Sequence, residues 1–344
     1  MLLSPIEAMR LALEQAAQVT AKSVRPNPRV GAVLSFPNGK IMKSFHRGSG
    51  QAHAEAALIE KALLQKIDLS EAILYVSLEP CCHFGKRPPC TDAILKSGIK
   101  KVFCASLDPD PRVSGQGVDL LKKAGIEVDV GLLEKEARSM NKTWLHAKEN
   151  QRPFTTLKWA MSSDGFFYDR KKNSKWISGN AAREDLHLFR NKVDAVVTSR
   201  VTLEEDRPRF SVRIPGQDEK FLKTFVVGRK KSCRVEDFSE NPSMNYHEIQ
   251  EKDEFLVFLK KIHEQDSIFH LLIEAGPKLC SLILEWGLAD EILVYQNTRF
   301  ISFQDLENPG HLALQSGTLP GLEYKLQELK QLSDSDFKYF LSQN

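Results

Sequence analysis

Cysteine is scarce in this chain, six residues in 344, which excludes a scaffold stapled by disulfides. Apolar runs are short, and none approaches the roughly 20 residues that a membrane-spanning helix needs. The opening "MLLSPIEAMRLALEQAAQ" has no basic leader and no small-residue cleavage site. It is expected to form an amphipathic helix entered after Ser4 and Pro5, not a signal peptide. An excess of one charge is missing too: the net charge is +3, too small to imply a nucleic-acid partner by itself. Low-complexity tracts and internal repeats are absent, as is any G-x-G-x-x-G after a strand. What remains is 42% hydrophobic and 27% charged. Such a chain is long enough for two domains and is expected in the cytoplasm, with reduced thiols and no membrane partner.

Strand and helix patterns alternate along both halves. "VGAVLSF" and "KIMKSFH" flank the turn Pro37-Asn38-Gly39 and read as a hairpin. A helix is expected from about His53 to Gln65. It is followed by the strand "AILYVSL", a cysteine-bearing loop, a short helix from about Cys90, the strand "KKVFCASL" and the helix "GQGVDLLKKAG". The strand "IEVDVGLL" and one helix "EKEARSMNKTWLHA" complete this half. Strands separated by such helices predict an α/β sheet covered on both faces. The polar stretch "KENQRP" marks the boundary. Beyond it "FTTLKWAM", "VDAVVTS", "FLKTFVVG", "SIFHLLIEAG" and "DEILVYQN" read as strands. "GNAAREDLHLFRN", capped by Ser178 or Asn180, and "PKLCSLILEWG" read as helices, and the tail as a closing pair of strands. The basic clusters "RKKNSK" and "GRKK" fall in predicted loops, either solvated or in contact with phosphate.

The few cysteines are clustered. His53, Cys81 and Cys90 offer one imidazole and two thiolates, a donor set suited to Zn²⁺, and three protein ligands leave a fourth tetrahedral position for water. Glu55, two residues from His53 on the first turn of a helix, can stand beside the metal without binding it and move protons. Zinc base deaminases use this logic, with an H-x-E and P-C-x-x-C signature. Here the second cysteine comes later, because "CHFGKRPP" separates the two thiolates. Cys82 or His83 as a further ligand, the latter closing a structural site, remain alternatives. Lys86 and Arg87 in that loop are cations suited to an anionic part of a substrate. Asn27, held between two prolines, presents a rigid amide. In the second half, "IEAGPKL" places Glu274 at a strand end and Gly276 at a helix start, where phosphate can approach amide groups.

The motifs "RPNPRVG", "HAE", "EPCCHFGKRPPC" and "DPDPRVSGQG" resemble the bifunctional riboflavin-biosynthesis deaminase/reductase family. The similarity continues through "LKWAMSSDG", "SKWIS", "AAREDLHLFR", "VTLEEDRPRFSVR", "IEAGPKL" and "GLADEILVY". The resemblance implies an α/β chain with a cytidine-deaminase-like zinc-dependent pyrimidine deaminase domain over 1–147. It implies a dihydrofolate-reductase-like, NADPH-dependent reductase domain over 152–344. It assigns one zinc to His53, Cys81 and Cys90 and proton transfer to Glu55. Deaminase substrate contacts fall to Asn27, His46, His83, Lys86 and Asp108. Reductase substrate contacts fall to Ser174, Arg190, Phe210, Arg213 and Glu274, with Arg190 and Arg213 toward a phosphate, and cofactor contacts to Ala160, Trp176, Thr202, Asp206 and Gly276. A phosphorylated pyrimidine substrate and a homo-oligomer are expected, and nucleic acid is not. The chain departs from the pattern at Asp110, in "SFHRGSGQAH", in "DGFFYD", in "TFVVGRK", where Val227-Gly228 replaces an aspartate, and in "YQNTRFISF". A deaminase with a degenerate second half, or a nucleic-acid base deaminase, are the rival readings.

Overall fold

The structure is a computed structural model that describes residues 3–85, 87–110, 114–166, 177–229, 233–299 and 324–343. It divides into two units, Met1–Gln151 and Arg152–Asn344.

The first unit runs α1 (Pro5–Ala16), α2 (Ala21–Val24), β1 (Gly31–Ser35), β2 (Ile41–Phe45), α3 (Ala54–Leu64), β3 (Ile73–Val76), α4 (Cys90–Ser97) and β4 (Lys101–Cys104). It continues with α5 (Gln116–Lys123), β5 (Glu127–Val130), α6 (Glu134–Met140) and α7 (Lys142–Asn150). Ser4 opens α1 with a capping box shared with Glu7. The sheet order is β2-β1-β3-β4-β5. β1 is antiparallel to β2 and β3, and β3, β4 and β5 are parallel. Alternation along the strands sorts side chains to two faces. Ala32, Leu34, Leu74, Val76 and Val102 pack against Leu58, Ile59, Ile94 and Leu121 of α3, α4 and α5. Val33 and Tyr75 pack against Met9, Ala12 and Ala137 of α1 and α6.

Two expectations for this half are corrected. The single helix over "EKEARSMNKTWLHA" is two, because Asn141 leaves the helical path. Its side chain accepts the Arg29 N–H at 3.0 Å and donates to the Arg29 carbonyl at 2.8 Å, acting as a strand partner for the chain entering β1. The polar "KEN" is also the last turn of α7 rather than open linker.

The second unit runs β6 (Phe154–Ser162), α8 (Asn180–Arg190), β7 (Ala195–Ser199), α9 (Arg200–Asp206), β8 (Ser211–Val212), β9 (Lys220–Phe221), β10 (Lys223–Gly228) and β11 (Met244–Glu248). It closes with α10 (Lys252–Asp266), β12 (His270–Glu274), α11 (Pro277–Glu285), β13 (Glu291–Asn297), β14 (Tyr324–Gln331) and β15 (Asp336–Gln343). The main sheet has the order β11-β10-β7-β12-β6-β13-β15-β14. Pairing is parallel from β11 to β13, then antiparallel through β15 to β14. One face packs Leu157, Val197, Phe225, Ile273 and Val294 against α10 and α11. The other packs Val196, Val226, Leu272 and Tyr295 against Ala182, Leu186 and Leu203. β11 and α10 lie outside the elements read from the sequence. The cap of α8 is Gly179, not Ser178 or Asn180. The Gly179 N–H is taken by the buried Asp336 carboxylate, at 3.0 and 3.1 Å, so β15 satisfies the N-cap amide that an N3 glutamate takes in a capping box. No described helix is long and apolar enough to cross a membrane.

Candidate active sites

In the first unit, loops between strand and helix bring the cysteine cluster together. His53 is the N-cap of α3 but makes no capping bond. Its Nδ1 instead faces Cys81 Sγ at 3.4 Å and Cys90 Sγ at 3.3 Å. Cys90 opens α4 directly after Pro89, and its N–H donates to Cys81 Sγ at 3.3 Å, while the Thr91 N–H donates to the Cys81 carbonyl at 3.2 Å. One ligand residue thus also satisfies amides at the start of the helix carrying another. The three donor atoms lie within 4.8 Å of one another. The hydrogen bond with Cys90 holds the Cys81 thiol low, and the same bond, with burial, pushes Cys90 up.

Glu55 is 3% exposed, and its Oε2 has no hydrogen-bond partner among the described residues. Burial, and then the Cys81 sulfur, push its carboxyl up to about 7. One imidazole and two sulfurs are the donor set of a catalytic zinc site, and the buried carboxylate with an unpartnered oxygen stands beside it as a proton carrier rather than a ligand. Among the described residues the cluster contains neither Cys82 nor His83. The Nδ1 of His83 is buried without a partner.

His46, expected to meet substrate, lies beside Asn27 and His53. It is 2% exposed, with Nδ1 3.2 Å from the Ala52 carbonyl and Nε2 2.9 Å from Asn27 Nδ2. The carbonyl accepts from Nδ1–H, so Nε2 accepts from the Asn27 amide. The ring stays neutral, in keeping with burial lowering its pKa, and it orients Asn27. Its edge-on contact with His53, at 5.3 Å between centroids, sets that pair beside the metal cluster. Asp108 is buried, and its Oδ1 accepts the Asp110 N–H at 2.8 Å. Asp110, one of the departures from the family pattern, lies 3.9 Å from Lys148 Nζ. Arg87 donates to the Gly50 carbonyl at 3.2 Å. Lys86 lies outside the described residues, as do Ser174, Trp176, Phe167, Tyr168 and the cluster "RKKNSK".

The second site forms along the carboxyl ends of the parallel strands, where open α/β sheets bind ligands. Ser199 ends β7 and caps α9, and Thr202 Oγ1 accepts the Gly276 N–H at 3.1 Å. Gly276 is the N-cap of α11. Two helix starts therefore meet through Thr202, an arrangement that suits a pyrophosphate, and the residues present fit a nicotinamide dinucleotide. Gly228, at the end of β10, explains the missing aspartate. A Cβ there would lie 2.9 Å from Tyr246 Oη and 3.0 Å from Arg200 Cβ, so a side chain at this position would require both neighbours to shift. Ala160 lies on β6, partly buried against Tyr295 and its neighbours, and Asp206 is exposed at the end of α9.

Beside them is a buried ion cluster. Glu274 takes Arg190 Nε at 2.6 Å and Nη2 at 2.9 Å, and Lys158 Nζ stands 3.7 Å away. Arg190 Nη1 donates to the Ser211 carbonyl, and its guanidinium lies over the Phe210 ring at 5.7 Å. Phe210 holds a positive φ of 45°, rare for a bulky side chain. Arg190 is therefore paired with Glu274, and Arg213 is exposed. The sequence reading missed Lys158 and Glu79. The available signals were a lone lysine inside the buried strand "FTTLKWAM" and an acid closing "LYVSLEP".

A serine at Cys90 is expected to release the metal and abolish deamination, since hard oxygen replaces a thiolate ligand. Metal analysis of the purified variant checks this, and full zinc retention would remove Cys90 from the ligand set.

Residues 5–106 match the cytidine and deoxycytidylate deaminase zinc-binding region, and residues 153–301 match the RibD C-terminal domain. The riboflavin biosynthesis protein RibD of Aquifex aeolicus is 36% identical over 83% of this chain and 85% of its own length. That of Escherichia coli is 29% identical over 96% and 95%. The solved structure of Acinetobacter baumannii RibD, form 1, superposes with a TM-score of 0.81 at 30% identity, covering 98% of each chain. The deaminase/reductase structure from Thermotoga maritima gives 0.78 at 30%, again over 98% of each. A cytidine-deaminase-like unit followed by a dihydrofolate-reductase-like one, with similarity along nearly the whole length, settles the matter: the chain belongs to the RibD family of riboflavin biosynthesis proteins and joins a deaminase and a reductase in one polypeptide.

Proposed function

We propose that the first unit removes the exocyclic amine of a diamino-hydroxy-phosphoribosylaminopyrimidine as ammonia. The second then reduces the ribosyl group of the resulting uracil derivative to ribityl. The observation that carries this reading is Glu55, buried beside the His53, Cys81 and Cys90 donors with Oε2 unpartnered. Those three residues would hold a zinc ion, which would supply an acidified water at neutral pH. Glu55 takes the proton of the attacking water on Oε2 and delivers it to the departing amine. Asn27, oriented by His46, and Asp108 hold the pyrimidine, with His83 and Lys86 assigned as further substrate contacts. NADPH, when bound, supplies the hydride for the second reaction. Thr202 and Gly276 would hold its phosphates, with Ala160, Trp176 and Asp206 assigned as further cofactor contacts. Glu274, Arg190, Phe210 and Ser174 shape the ribosyl pocket, and Arg213 takes the substrate phosphate.

We read the protein as a cytoplasmic homo-oligomer acting on small molecules, without nucleic-acid or membrane partners. The near-balanced charge supports this. So does the outer edge of β14, where Leu326 and Leu329 are more than half exposed on a strand paired on one side only among the described residues.

The test follows ammonia and NADPH separately. Substrate alone should yield ammonia, and NADPH should be consumed only once deaminated product is present. Ammonia release without NADPH consumption, even with authentic ribosyl intermediate, would establish the degenerate-reductase reading. Salt-sensitive tRNA binding with deamination of that tRNA would establish the nucleic-acid one.

A further inference from the structure

Glu79 closes the segment leading from β3 to the metal ligands and is 3% exposed. Its two carboxylate oxygens accept four backbone N–H groups. Oε2 takes Asp108 at 3.1 Å and Gly115 at 3.0 Å, and Oε1 takes Gly117 at 3.0 Å and Val118 at 3.2 Å. These amides lie on both sides of residues 111–113, which are outside those described, and include the first turn of α5. Its own N–H donates to the Ser106 carbonyl at 2.9 Å. The fit is close: a Cβ on Gly117 would lie 2.1 Å from the Pro80 carbonyl oxygen. The segment carrying Asp108 is therefore seated directly on Glu79 and Pro80, immediately before Cys81.

A buried carboxylate accepting four amides is a strong and directional anchor, because each bond is charge-assisted and no water competes. We propose that Glu79 is a positioning residue of the deaminase, fixing Asp108 relative to the metal ligands so that the pyrimidine is held at one distance from Glu55. This rests on the reading of Asp108 as a substrate contact. Glu79 touches neither metal nor substrate. It acts through the backbone, and it ties the height of the substrate-binding loop to the loop that begins at Cys81.

Glutamine at this position keeps the volume but offers one acceptor atom, so an N–H₂ group confronts two backbone donors. E79Q is expected to keep about one zinc per chain and to oxidise NADPH normally with the deaminated intermediate. Its KM for the deaminase substrate should rise roughly tenfold or more, the scale of lost charge-assisted hydrogen bonds. The double variant E79Q/D108N should be no worse than D108N alone, because both changes remove the same contact. E79D, which keeps the charge, should recover part of the KM. Additive effects in the double variant, or an unchanged KM in E79Q while D108N is impaired, overturn the positioning role. A D108N variant with unchanged KM overturns the substrate contact itself and the proposal with it. Loss of zinc in both E79Q and E79D overturns it in favour of a purely structural anchor.

Discussion

Glutamine in place of Glu55 is expected to leave about one zinc per chain and to cut ammonia release by roughly 10²–10⁴-fold, the usual contribution of a positioned acid/base. The side chain is buried at the first turn of α3 and shares no donor role with His53, Cys81 and Cys90. The amide fills the same volume and leaves the helix start and the ligands in place, but it cannot carry the proton from water to amine. NADPH oxidation with the deaminated intermediate should be unchanged. Metal content is the discriminating measurement: a variant that loses its zinc would make Glu55 a ligand and reverse its assignment.

The second large effect is expected at Glu274. Alanine there removes the one described carboxylate that pairs with both Arg190 and Lys158 and leaves two largely buried cations without it. Breaking such a cluster from one side costs about 3–5 kcal/mol. For a unit of this size that lowers the unfolding midpoint by roughly 6–20 °C. NADPH oxidation should be lost while ammonia release persists, and calorimetry together with the two assays reads all three quantities. A midpoint within a degree of wild type would show that the cluster is not held as described. The pH dependence has a definite sign. Burial alone would raise the Glu274 pKa, but Arg190, then Lys158, overcome it and hold the carboxyl below its ordinary 4.5. A group depressed in the folded state stabilises it fully above the unfolded value. That contribution is therefore present above about 4.5 and is lost as the pH falls through the folded pKa. The alanine variant lacks this acid-sensitive component.

Both predictions concern residues the sequence already singles out, and their legibility has a physical basis. His53 and Glu55 are two positions apart, so a single helix start fixes their relation, and proline before Cys90 announces the second helix. The central strands show as short continuous apolar runs, because each face of each sheet is covered. What the sequence hides is what long-range contacts decide. Asn141 interrupts a good helical pattern because its amide pairs with Arg29, 112 positions away. His46 carries no sign that Ala52 and Asn27 will occupy both ring nitrogens. Arg190 is charged and at the end of a helix, as any phosphate ligand would be, and only the fold, which brings the end of α8 to the end of β12, shows that Glu274 pairs with it. Glu79 appears as one more acid before a proline until four amides are seen to converge on it.

The strand order of the second sheet bears on how the polypeptide matures during synthesis. β6 is the first strand of its unit to leave the ribosome, yet it lies between β12 and β13, pairing Phe154 with His270 and Thr156 with Glu291. Both neighbours are translated more than a hundred residues later. At about 5–20 residues per second the ribosome takes on the order of ten seconds to produce them. Throughout that interval "FTTLKWAM" has neither of its partners, while every strand of the first sheet has already been made. The nascent reductase half thus carries an unsatisfied apolar strand beside a neighbour already able to fold. The interval before β12 emerges is when a chaperone has most to shield, and codon choice between β6 and β12 sets its length.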